Sequence, residues 1–68
     1  MKRSRFQDYL IEVSQDPRDG YQAVISRRDG KHIEHDGSAR LVVEIKSFAT
    51  ADAALAEACQ LIKDGGVT

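Results

Sequence analysis

The sequence predicts an α+β fold: a three-stranded antiparallel β-meander with one C-terminal α-helix packed on one face (β-β-β-α). Three observations carry this expectation. Residues 6–14, 21–28 and 41–47 alternate apolar and polar side chains, as half-buried strands do. Turn-forming residues separate those runs, at Pro17, Gly20, Asp29-Gly30 and Asp36-Gly37. The last third of the chain then switches to helical spacing, with a start and a stop signal around it.

In the first run Tyr9, Ile11 and Val13 share one face, while Asp8, Leu10, Glu12 and Ser14 share the other. Pro17 presets the first corner of the following loop and Gly20 supplies permissive backbone at its end. In the second run Tyr21, Ala23, Ile25 and Arg27 oppose Gln22, Val24, Ser26 and Arg28. The small Ala23 leaves room for close approach of an alanine-rich helix. Between this run and the next, two Asp-Gly pairs flank Lys31 to His35. They favour primed turns and admit two arrangements: an extra short strand, or a bulge at the first pair with the hairpin turning at the second. The bulged hairpin is preferred, because Lys31 to His35 contains a single strongly apolar residue, Ile33.

The third run places Leu41, Val43 and Ile45 inside and Val42, Glu44 and Lys46 outside. It spans about 23 Å at ~3.4 Å per residue. The helix from Ala51 to Asp64 spans about 21 Å at ~1.5 Å per residue. Matched lengths and a short Ser47-Phe48-Ala49 connection fold the helix straight back across the sheet. Thr50 is the expected N-cap, Asp52 and Lys63 complement the helix dipole, and Gly65 provides the left-handed stop. Ala51, Ala54, Leu55, Ala58, Leu61 and Ile62 form the apolar stripe. The predicted core is therefore Tyr9, Ile11, Val13, Ala23, Ile25, Leu41, Val43, Ile45, Phe48 and that stripe.

A chain of 68 residues makes one domain: a basic disordered arm over 1–5, the folded unit over 6–64 and a tail over 65–68. So small a domain hides only about 60 % of its unfolded surface, and with Cys59 as the single cysteine no internal disulfide can reinforce it. Oligomerisation is the remaining means of support. The lone thiol and the absence of a hydrophobic leader point to a cytoplasmic setting, and no apolar run approaches the ~20 residues of a membrane span. A net charge of −1 produces no bulk attraction to nucleic acid or anionic lipid.

The outer sheet face is the most informative surface. Leu10, Val24 and Val42 lie near the middle of three strands, and registered at their centres they form an apolar bar flanked by Glu12, Glu44, Lys46, Arg28 and Gln22. Such a bar suits contact with a protein partner or a second copy, although scattered surface aliphatics are also normal. Lys2, Arg3, Arg5, Arg27, Arg28 and Lys46 are the cations available to grip a nucleic-acid backbone. His32 and His35, beside Glu34 and Asp36, have a spacing that metals can use, but strand geometry turns the two rings apart, so they are read as solvated loop histidines and no metal is expected. Cys59 falls at the border of the apolar stripe and is read as a small buried filler. No phosphate loop, triad or paired carboxylate occurs. Neither enzyme activity, a cofactor nor a small-molecule substrate is expected.

The order of elements resembles the β-β-β-α fold of AP2-type domains and of the arm-binding domains of tyrosine recombinases, which implies DNA read by the outer sheet face. The segment Ser47-Phe48-Ala49-Thr50-Ala51-Asp52-Ala53-Ala54-Leu55-Ala56-Glu57-Ala58 is similar to the Thr-x-x-x-Ala helix phrase of HicB-type antitoxins and of several small uncharacterised bacterial domains. That resemblance implies partner binding and dimerisation. As a whole the chain looks like a small stand-alone bacterial domain.

Overall fold

The structure, a computed structural model, describes residues 2–18 and 20–68; Met1, Asp19 and the side chain of Lys2 lie outside the described residues. The elements in order are β1 (Lys2–Phe6), β2 (Tyr9–Gln15), β3 (Tyr21–Arg27), β4 (Ile33–His35), β5 (Ser38–Arg40), β6 (Val42–Phe48) and α1 (Ala51–Lys63). The class is α+β, with an antiparallel sheet and a C-terminal helix against one face. The meander is larger than expected: the main sheet has four strands in the order β1-β2-β3-β6, and β4-β5 form a separate two-stranded sheet.

The fourth strand comes from the segment expected to be a disordered arm. From Lys2 onward that segment pairs with β2, placing Arg3 opposite Glu12, Arg5 opposite Leu10 and Phe6 opposite Tyr9. The connecting turn is Gln7-Asp8, with Gln7 at φ 55°. Gln7, which takes the left-handed position, is not a residue that signals one, and a strand reading Lys-Arg-Ser-Arg-Phe carries almost no apolar alternation. Phe6 nonetheless packs against the core, and Lys63 Nζ lies 5.7 Å from its ring centroid.

The preferred arrangement for 29–40 is corrected at the first Asp-Gly, which is not a bulge: it ends β3 in a turn, with Gly30 N–H donating to Arg27 O at 3.2 Å. A hairpin does turn at the second Asp-Gly, where Asp36 and Gly37 both have positive φ, as a type I′ turn requires. The same turn joins β4 to β5, so the His-bearing segment is also a short strand. Asp29 caps the end of β3: its Oδ1 accepts the Lys31 N–H at 3.0 Å, and both carboxylate oxygens accept from the Arg27 guanidinium, at 3.0 and 2.8 Å.

Ile11, Ile25, Ile33 and Val43 are the largest fully buried side chains; Tyr9, Val13, Ala23, Ala54, Ala58, Ile62 and Val67 complete the core. Ile45, Phe48, Ala51, Leu55, Cys59 and Leu61 pack against it half-buried. The inward register of the three predicted strands is thus observed: Ile11, Ile25 and Val43 lie side by side under the helix. Two corrections concern the same end of the core. Leu41, predicted inside, is 59 % exposed because the chain bends there and β6 begins only at Val42. Ile33, from the hairpin, and Val67, from the segment expected to be a tail, provide buried apolar side chains instead.

The helix ends follow the sequence signals. Thr50 Oγ1 accepts the Ala53 N–H at 3.1 Å. At the other end Gly65 N–H donates to Ile62 O at 3.2 Å and Gly66 N–H to Leu61 O at 2.9 Å, with Gly65 at φ 75°. This is the Schellman pattern, and it turns the chain toward β4.

Candidate interaction surface

The sheet's outer face is laid out by the strand register. One row across it reads Arg5, Leu10, Ser26, Val42, and the next reads Arg3, Glu12, Val24, Glu44. Leu10, Val24 and Val42 therefore share the predicted face but do not form a straight bar. Leu10 and Val42 flank Ser26 in one row, and Val24 sits between two carboxylates in the other. They are diagonal neighbours, close enough for partial contact. Leu10 and Val24 are half-buried, whereas Val42 is 43 % exposed and follows directly on the exposed Leu41.

The charges on this face are paired across and along the strands. Arg3 Nε lies 3.9 Å from Glu12 Oε1, and Lys46 Nζ lies 3.7 Å from Glu44 Oε2. Both are exposed ion pairs, of a kind worth at most about 1 kcal/mol. Arg5 and Arg28 are exposed. Arg27, grouped by the sequence with the possible nucleic-acid contacts, is instead held by Asp29 in a bidentate pair. Hydrogen bonding to Arg27, and then to the Lys31 amide, holds the Asp29 carboxyl well below the usual carboxylate range. The same pair raises the Arg27 guanidinium.

The two histidines have separate settings. His32 is exposed, while His35, read from the sequence as a solvated loop residue, lies half-buried in β4 with Nδ1 donating to the Gly66 carbonyl at 2.9 Å; Nε2 lies 3.4 Å from Asp36 Oδ2. Among the described residues no group of three or more His, Cys, Asp or Glu side chains is placed to hold a metal ion. Cys59 is half-buried on the core rather than fully enclosed. A depression of about 240 Å³ is bounded by Arg3, Ser4, Arg5 and Leu10. Two more, of about 340 and 500 Å³, adjoin Arg18 and Ser47 where the β2–β3 loop meets the end of β6. No described helix is long and apolar enough to cross a membrane.

Sequence reasoning missed that Arg3 and Arg5 belong to the sheet. Their spacing of two was the one available signal, since it puts both on the same side of a strand. No family model matches the chain, and neither a curated protein nor a solved structure matches it.

Proposed function

We propose that this chain is a non-enzymatic interaction module that docks a protein partner, or a second copy of itself, through the outer face of its sheet. The observation that carries the reading is the exposure of Val42, at 43 %, on the same face as Leu10 and Val24. Burying a valine or leucine side chain contributes about 1.5–3 kcal/mol, so a partner covering this patch gains a usable fraction of a binding energy. Around the patch Glu12 pairs with Arg3, Glu44 pairs with Lys46 and Arg5 stands beside Leu10, a mixed charged border suited to a partner that rings its own apolar spot with both signs.

Val24→Lys tests this reading with little risk to the fold, since the new cation stands between Glu12 and Glu44. The expected outcome is an unchanged melting temperature together with loss of the partner that the parent captures from its native extract, or loss of self-association in sedimentation. A Val24→Lys variant that retains every contact of the parent overturns the proposal.

A second reading, nucleic-acid binding, is favoured by one observation: β1 puts Arg3 and Arg5 on the outer face beside Leu10. Titration with duplex DNA at two salt concentrations separates the readings, because phosphate contacts require a steep salt dependence. Affinity that is absent, or flat with salt, removes it.

A further inference from the structure

The main sheet has two open edges, and they differ in charge. Among the described residues, β1 has a hydrogen-bonded neighbour strand only in β2, and β6 only in β3. An edge strand presents unpaired N–H and C=O groups that another chain can extend. On β1, antiparallel self-pairing about Arg3, Ser4 or Arg5 sets arginine opposite arginine each time, which disfavours it.

On β6 the outcome depends on register. Glu44 and Lys46 lie on the same face, as their 3.7 Å contact shows. To keep both helices on one side of a continuous sheet, a two-fold axis must pass midway between a residue of the strand and that residue's own symmetry mate. Centred on Glu44 it opposes two glutamates, and centred on Lys46 two lysines. Centred on Ile45 it opposes Glu44 of each copy to Lys46 of the other, giving two complementary pairs. The same axis sets Ile45 against its symmetry mate, and Ile45 is a half-buried side chain at the rim of the core. The regular stretch is short: beyond Ile45, Lys46 and Ser47 together face Gln22 in a bulge, and pairing with β3 resumes at Tyr21 and Phe48. β4 comes near β6 without pairing to it.

We propose that a second copy of this chain pairs along β6, antiparallel and centred on Ile45, joining the two four-stranded sheets into one. The proposal deepens the interaction-module reading by naming the partner, and it uses the strand edge rather than the outer face. Cross-strand charge pairs then select the register, and mutual cover of Ile45 adds apolar burial.

The test is a charge swap followed by sedimentation equilibrium on the full chain. The parent is expected to dimerise with rising concentration. Glu44→Lys and Lys46→Glu, each of which creates two like-charge pairs, are expected to weaken the dimer on the order of tenfold or more. The double variant E44K/K46E, which restores opposite charges across the axis, is expected to recover it. Circular dichroism checks that each variant is folded, and a folded Ser38→Lys control is expected to leave association unchanged. A parent that stays monomeric, a dimer indifferent to both single reversals, or a double variant no better than the singles overturns the pairing. Leu10→Glu, on β2 and opposite Arg5, reads the face two strands away from Glu44 and Lys46, so the loss of one surface is distinguishable from the loss of the other.

Discussion

Glu34 and Thr68 exchange backbone hydrogen bonds: Thr68 N–H donates to Glu34 O at 3.0 Å, and Glu34 N–H to Thr68 O at 3.3 Å. The residues following the helix are thereby paired to β4. The His35 ring adds a contact to Gly66 O at 2.9 Å, and Val67 is only 3 % exposed. The small hairpin and the end of the chain hold each other over one end of the core.

Val67→Ala is therefore expected to lower stability by about 1–3 kcal/mol, from lost burial plus a residual cavity. Thermal unfolding measures this. Hydrogen exchange at the Glu34 and Thr68 amides should speed up together, because each protects the other. A melt identical to the parent's would place Val67 outside the core.

Ile33 and Leu41 should respond in opposite ways. Ile33 is fully buried, and Ile33→Ala is expected to cost about 2–5 kcal/mol. Leu41 is 59 % exposed, and Leu41→Ala should stay within about 0.5 kcal/mol. Urea unfolding of the two variants checks the exchange of roles; a larger loss at Leu41 than at Ile33 contradicts this packing.

Gly20 and Gly37 have similar backbone, at φ 80° and 77°, but different surroundings. A Cβ at Gly20 would lie 2.5 Å from the Phe48 carbonyl oxygen, whereas one at Gly37 meets nothing within 4 Å. Gly37→Ala is expected to cost about 1 kcal/mol for the left-handed conformation. Gly20→Ala adds a clash with backbone at the start of the bulge and should cost about 3 kcal/mol in total. Equal melting temperatures for the two variants would count against the Gly20–Phe48 contact.

The Arg27–Asp29 pair makes an acid-side prediction. The Asp29 carboxyl is lowered in the folded protein, chiefly by its hydrogen bond to Arg27. Its contribution is thus fully present above the ordinary aspartate range, near pH 4, and fades as pH falls below it. Asp29→Asn keeps an acceptor for Lys31 N–H but removes the charge. The stability difference between parent and variant is expected to be constant from pH 5 to 8 and to shrink as pH falls below about 4. A difference that grows on acidification reverses the assigned sign.

Much of the architecture was written in local pattern. The alternation of Tyr9-Ile11-Val13, Tyr21-Ala23-Ile25 and Val43-Ile45 set which faces turn inward, because a period of two leaves no other solution once one face is buried. Thr50 and Gly65 bounded the helix through hydrogen bonds made within a single turn. The members of the outer face, Leu10, Val24, Val42, Glu12 and Glu44, followed from the same alternation.

Long-range pairing decided the remainder. β1 has no apolar pattern of its own and exists as a strand through pairing with β2; the placement of Arg3 and Arg5 on the outer face depends on that pairing. The straight bar expected from Leu10, Val24 and Val42 became a staggered set, because register is fixed between strands and not within one. Leu41 stands exposed while Ile33 and Val67 are buried, residues far apart in the chain that are brought together where the Glu34–Thr68 hydrogen bonds and the His35–Gly66 contact join their segments. Local chemistry sets a residue's face and a helix's ends; which distant segments share a core is settled by competition for the same buried volume, and that is a property of the assembled chain alone.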